Sequence, residues 1–337
     1  MGEPVIDIHI HFGAPQDEES GCFWSEDFTK TAAYFAMLLI TRSLFKKVNI
    51  KKIKKHMFKI LNTARYTEKA VFLAMDRIYD KEGNPHDEKT QLYVPNSYII
   101  QLAKEHNKIL FGASVHPYRP DWEQELNYCL DNRAVLCKWI PSSQLINPAN
   151  ETCIPFYKKL AQSNLPLLCH AGPEYAIPNS YLYSVAYNNP RCLRTALDVG
   201  VTIIIAHCAT PYWGAIDVDY QDDFDELLRL FREADLKGWK LYADLSAICT
   251  PFRSPYIKQV QAEISSNRLI YASDYPIPIS AIGYKNKQNY ISLIGSIVRS
   301  ALTNNQLDKN YLLIKEMGFG DGIFFNAAGL FKKIKYS

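Results

Sequence analysis

The chain has 337 residues, 47% of them hydrophobic and 22% charged, with a net charge of +3. That balance supplies a large core and excludes a disordered chain or a strongly basic nucleic-acid binder. No apolar run reaches membrane-spanning length; AAYFAMLLI at 32–40 is much too short. Eight cysteines lie scattered without CxxC spacing, several inside apolar runs. They read as free thiols of a reducing compartment, so a cytoplasmic location is expected, and no secretory leader is visible.

Taken in chain order, short apolar runs recur, each followed by polar or Gly/Pro residues. They are PVIDIHIHFG, AVFLAMDRIYD, ILFGASVHPYRP, AVLCKWIP, LPLLCHAGPE, VTIIIAHCAT, LYADLSAICTP and RLIYASDYPIP. Near-continuous Val/Ile/Leu runs are the signature of parallel strands buried on both faces. Helical patterns lie between them, including NSYIIQLAKEHN, CIPFYKKLAQSN, NPRCLRTALDVG and FDELLRLFREADLKG. Eight strands alternating with helices predict an α/β fold, either a closed (β/α)8 TIM barrel or a doubly wound sheet. No GxGxxG or GxxxxGK[ST] follows any strand, which leaves the nucleotide-binding doubly wound sheet without support. The expected organisation is a single barrel domain over 1–337 with a helical insertion at about 14–66 after the first strand.

Within that insertion, Ile50, Ile53, Met57 and Ile60 fall on one helical stripe, and Lys51, Lys52, Lys54 and Lys55 mostly occupy the other face. An amphipathic helix packed on the barrel is expected, with a lid or a contact to an anionic surface as the alternative. The insertion is also a candidate contact for a homodimer. A second break in rhythm is the Tyr-rich segment 172–189 after the fifth strand, a place where barrel enzymes build pockets.

The strand ends carry the chemistry. Strand one ends in His9-Ile10-His11, and residues two apart on a strand share a face. Strand four ends in Lys138, five in His170, six in His207 and eight in Asp274. Functional groups of such barrels gather at these C-terminal ends. Imidazoles with one carboxylate suit a divalent metal, most of all Zn²⁺, which lowers the pKa of a bound water and polarises a carbonyl. Asp274 is placed to ligate and to shuttle a proton. Asp7 shares the face of His9 one layer deeper. His116 and Arg119 end strand three and are candidates for a substrate anion. Glu174 and Trp139 are further candidates for the substrate pocket, and Asp244, Ser246 and Arg253 follow strand seven. His56, His86 and His106 read as surface residues.

HxH on strand one, His after strands five and six, and Asp after strand eight resemble the amidohydrolase superfamily. Within it, VIDIHIHFG and ASDYPIP look like the amidohydrolase-related group that includes aminocarboxymuconate-semialdehyde decarboxylase. The resemblance runs from Val5 to about Pro278. It implies that His9, His11, His170 and Asp274 ligate one metal, and that His207 contacts the water or substrate or ligates a second ion. Lys138 departs from the one-metal pattern. In binuclear relatives a lysine near this place is carboxylated and bridges two metals; otherwise it is a substrate-binding cation. One ion is expected, two if Lys138 is carboxylated. The resemblance implies a metal-dependent hydrolase of a small amide, ester or lactone. The alternatives are a decarboxylase of a small unsaturated or aromatic acid and an inactive barrel that binds a partner. The expected partner is a small molecule, not a nucleic acid or a membrane.

Overall fold

The computed structural model describes residues 2–40, 48–211, 221–250, 253–279 and 303–336. Eight parallel strands form one sheet in sequential order: β1 (Ile6–His11), β3 (Lys69–Leu73), β5 (Ile109–Ala113), β6 (Leu136–Trp139), β7 (Leu167–Cys169), β8 (Ile203–Ile205), β9 (Leu241–Asp244) and β10 (Leu269–Ile270). Each of the eight apolar runs supplies one of them. The sheet curls until its edges meet. The His11 amide donates to the Tyr275 carbonyl at 2.8 Å, and the Asp274 amide donates to the His9 carbonyl at 2.9 Å. These bonds tie the first strand to the segment leaving the last, as a TIM barrel requires.

The strands are short and almost fully buried, so their apolar runs need no alternation. β1 is the exception in pattern. Its inward side carries Asp7, His9 and His11, while Ile6, Ile8 and Ile10 join the apolar core. Its pairing with β3 also slips between Asp7 and Ile10. Such an irregularity bends a strand locally and re-aims its side chains. Here it lies under the two histidines.

The insertion holds two helices, α1 (Ala32–Ile40) and α2 (Ile50–Thr63). The Asn49 side chain caps α2 by accepting the Lys52 amide at 3.0 Å. Ile50, Ile53, Met57 and Leu61 form its buried face, with Ile60 only half-buried, so the stripe drifts one residue from the expected spacing. Lys51, Lys52 and Lys55 are exposed. Residues 41–47 of the insertion lie outside the described residues. A two-residue strand that the sequence reading missed, β2 (Phe23–Trp24), pairs antiparallel with β4 (Leu92–Tyr93) and fastens the insertion to the chain after β3.

The helix Gln306–Glu316, with the residue before it, locks the far end of α2. Asn305 donates to the Ile60 carbonyl at 2.8 Å, and Asp308 accepts the Arg65 amide at 2.8 Å. All eight cysteines are unpaired thiols. Among the described residues no helix is long and apolar enough to cross a membrane.

Candidate metal centre and pocket

The barrel mouth brings His9, His11 and Asp274 together. His9 Nε2 lies 3.0 Å from His11 Nε2 and 3.5 Å from Asp274 Oδ1, and His11 Nε2 lies 3.3 Å from the same oxygen. Tetrahedral coordination at 2.0–2.1 Å per ligand sets its donors about 3.3 Å apart. Two imidazoles and a carboxylate at these separations fit the face of such a polyhedron, so the donor set suits a divalent ion.

Hydrogen bonding beneath the rings fixes their tautomers. The Ser246 carbonyl can only accept, and it lies 3.2 Å from His207 Nδ1, so His207 carries its proton there. Ser246 Oγ donates to Asp244 Oδ1 and lies 2.7 Å from His207 Nδ1. Asp244 Oδ2 lies 2.8 Å from His9 Nδ1, so that nitrogen is also the donor. Both imidazoles therefore present bare Nε2 lone pairs to the mouth. A carboxylate behind a ligating histidine is the usual device for orienting it. Asp244 also accepts the His207 and Ser246 amides at 2.8 and 3.0 Å. Asp244 and Ser246, which follow the seventh strand, sit under the imidazoles and do not line the pocket.

Both His207 and Asp274 hold left-handed backbone, with φ of 56° and 63°. Cys208 and Ala209 continue it at 50° and 43°. Non-glycine residues take this conformation at a cost, and such strain gathers at functional sites. Gly172, at φ 82°, packs directly on this turn, where a Cβ would meet the Ala209 carbonyl at 3.0 Å.

Burial, reinforced by the Lys138 cation, holds the His9 imidazole well below the usual histidine range. Burial and the nearby Arg253 guanidinium do the same for His207. Both are neutral at pH 7, as ligation and proton acceptance require. His207 Nε2 lies 3.9 Å from Asp274 Oδ2. Lys138 is buried with its Nζ 3.2 Å from His9 Nε2, and burial lowers its pKa.

His170 departs from expectation. Its ring stands 5.2 Å from that of His207, but Nε2 bonds the Pro173 carbonyl at 3.2 Å and Nδ1 faces Glu174 Oε2 at 3.3 Å. Neither nitrogen joins a group of converging donors among the described residues. Burial pushes it down to about 4. Glu174 lines the pocket, with Oε1 accepting the Ala176 and Ile177 amides at 2.6 and 2.9 Å.

Two of the substrate-binding candidates lie elsewhere. Trp139 follows the inward Lys138, so strand alternation sends it outward. It is fully buried against Phe156 and Tyr157 and donates to the Val115 carbonyl at 2.8 Å. Arg119 is held by Asp76, Asp121 and Glu125 and does not line the pocket above the His9, His11 and Asp274 donors. His116 bonds the Gln144 carbonyl at 2.9 Å within the core. Asp7 is buried one layer deeper; Oδ1 accepts the His9 and Ser273 amides while Oδ2 has no partner, and burial raises it to about 7. Of the supposed surface histidines, His86 alone sits among exposed acids. His106 is buried against Asn62, and His56 reaches the Tyr275 hydroxyl at 2.7 Å.

Above the donors lies a cavity of about 800 Å³ including its open mouth. His11, His170, His207 and Asp274 form its floor. The insertion, for which a lid was one expectation, supplies much of the walls: Phe28, Ala33 and Met37 from α1 and its approach, Ile53 and Met57 from α2. The apolar stripe of α2 was visible, but its contact with the mouth depends on the tertiary fold.

The amidohydrolase family model matches residues 6–306. No curated protein matches the sequence. Among solved structures, 2,6-dihydroxybenzoate decarboxylase bound to 2,6-dihydroxybenzoate aligns with a TM-score of 0.59 at 12% identity, over 98% of this chain and 100% of that one. A TIM-barrel protein of Bordetella bronchiseptica aligns at 0.54 and 14% identity, over 93% and 99% of the two chains. A Pseudomonas putida protein named for 2-pyrone-4,6-dicarboxylic acid hydrolysis aligns at 0.50 and 14% identity, over 95% and 99%. These likenesses share the barrel, and the model match over nearly the whole sequence, with the His/Asp donors at the barrel mouth, makes this chain a member of the amidohydrolase family.

Proposed function

We propose that the protein is a metal-dependent hydrolase of a small ester, lactone or amide, with one divalent ion, Zn²⁺ by its N,N,O donors, held by His9, His11 and Asp274. The carrying observation is the triangle of 3.0, 3.3 and 3.5 Å at the floor of the pocket. The ion supplies Lewis acidity and an acidified water.

The chain's own residues handle the proton. With Oδ1 turned to the His9 and His11 nitrogens, Asp274 Oδ2 faces the bare Nε2 of His207. A proton lost by the attacking water passes to this pair and returns to the leaving group. Anchoring of His207 Nδ1 by Ser246 keeps Nε2 available for that exchange. Water addition breaks the acyl C–O or C–N bond and yields an acid with an alcohol or amine.

Lys138 bears on the ion count. Its Nζ and an ion compete for the same His9 lone pair, so one ion is compatible only with a displaced or neutral lysine, and a second only with its carboxylated form. Metal analysis by mass spectrometry, with intact-mass measurement under mild conditions, reads the count and any 44 Da carboxylation of Lys138. Acid release and CO₂ release are then followed on a panel of esters, lactones and aromatic acids. Metal-dependent acid release supports the hydrolase. CO₂ release alone, or a protein that neither holds nor rebinds metal, refutes it.

A further inference from the structure

The walls of the pocket limit what can sit over the metal ligands. Phe28, Met37, Ile53, Met57, Leu92 and Ile177 make them apolar from α1 across to the loop after β7. Among the described lining residues the only acid or ammonium-type charges are carboxylates, Glu174 and Asp274; no Lys or Arg lines it. The cations nearest the floor do not line the pocket. Lys138 is buried against His9, and Arg253 donates to the Thr210 carbonyl and hydroxyl. Arg119 is held by three carboxylates.

A substrate carboxylate held in this sleeve away from the ion loses its water, finds no Lys or Arg among the described lining residues and lies near the Glu174 carboxylate. An ion so placed is strongly disfavoured. An alkyl chain in the same space gains about fourfold in binding per methylene removed from water. The space suits several such carbons beyond the reacting carbonyl.

We infer that the substrate is an uncharged ester or lactone whose acyl part is an apolar chain lying between α1 and α2, and not a mono- or dicarboxylic acid. The inference rests on the hydrolase reading. Water adds to the carbonyl carbon, the ester C–O bond breaks, and the leaving oxygen takes the proton that the water gave up. The acid product ionises once formed, and its charge in an apolar sleeve favours its release.

The test compares the zinc-loaded protein on p-nitrophenyl acetate, butyrate, hexanoate and octanoate with mono-p-nitrophenyl succinate, adipate and suberate. Calorimetry on the metal-free protein adds octanamide and suberate as unreactive probes. Expected are a rise in kcat/KM of about threefold to fourfold per methylene, and at least about 100-fold lower values for the chains ending in carboxylate. Octanamide binds and suberate does not. Ile277→Lys, at a half-buried position in the pocket wall, raises turnover of the adipate ester at least about tenfold. Ala33→Trp, on the half-buried face of α1, lowers the octanoate-to-acetate ratio at least about tenfold. Carboxylate-ended esters turned over as fast as neutral ones, or suberate bound more tightly than octanamide, overturn the inference and leave the hydrolase standing. No ester turned over, with CO₂ released from an aromatic acid, overturns the hydrolase, and the calorimetry then decides the pocket separately.

Discussion

Asp244→Asn isolates the support beneath the proposed metal ligand His9. Asp244 Oδ1 accepts two backbone amides, from His207 and Ser246, and an asparagine carbonyl keeps both. Its NH₂ then stands where Oδ2 stood, 2.8 Å from His9 Nδ1–H. Two donors cannot share that distance, so the His9 proton moves to Nε2 and occupies the lone pair aimed at His11 and Asp274. Loss of a carboxylate behind a ligating histidine costs about 10- to 100-fold in ion affinity, or about 1.4–2.7 kcal/mol. Competition against a chromophoric zinc chelator at neutral pH measures it, with thermal unfolding of the metal-free protein as the control for folding. Affinity within about twofold of the wild type would refute the tautomer argument. Loss of all binding in Asp244→Asn, with His11→Ala unaffected, would instead put the ion among His9, His207 and Asp244, whose donors also converge.

Lys138→Met removes the group that competes for the His9 lone pair; we expect one ion per chain and affinity at or above wild type, and a fall from two ions to one would show that the lysine bridges. His11→Ala is expected to weaken zinc by at least about 1000-fold, because one of three ligands is lost; equilibrium dialysis checks it. His116 is buried at about 3 against an unfolded value near 6.5. As pH falls below 6.5 the unfolded chain takes a proton that the folded one refuses, so stability drops by about 2 kcal/mol at pH 5. Urea unfolding of His116→Gln at pH 8 and pH 5 should show a pH dependence smaller by that amount. Asp7 runs the other way: raised to about 7, it holds its proton in the fold and loses stability as pH rises through the interval from its unfolded value. Asp7→Asn, which keeps an oxygen for the His9 and Ser273 amides, is expected to stabilise the metal-free protein at pH 8 by on the order of 3 kcal/mol and to change little at pH 4.

The barrel was legible because most strands are short apolar runs, and because His9, His11, Lys138, His207 and Asp274 all lie at or near the C-terminal ends of such runs. The misplacements have local causes. With Lys138 pointing inward, the period of two along a strand turns Trp139 outward, away from the pocket. Arg119 lies two residues before Asp121, which already signalled a committed guanidinium, but Asp76 and Glu125 join it only through the fold. His170 ends its strand as expected, yet its nitrogens are turned by the Pro173–Glu174 loop, whose course no periodicity fixes. The Asp244–His9 contact spans 235 residues, and no spacing rule reaches that far. Nor does the sequence tell that α2 lays Ile53 and Met57 over the mouth; amphipathicity says only that one face is covered.

The bonds that close the barrel also set a schedule. Asp274 follows His9 by 265 residues, so it leaves the ribosome long after the two histidines. Until β10 docks on β9 and the Asp274 amide meets the His9 carbonyl, the His9 and His11 Nε2 atoms lack the Asp274 carboxylate they face in the finished barrel. On the proposed function, ion capture by these three donors is a late event, a seal applied to a finished ring, and a chain cut short before residue 274 never assembles them.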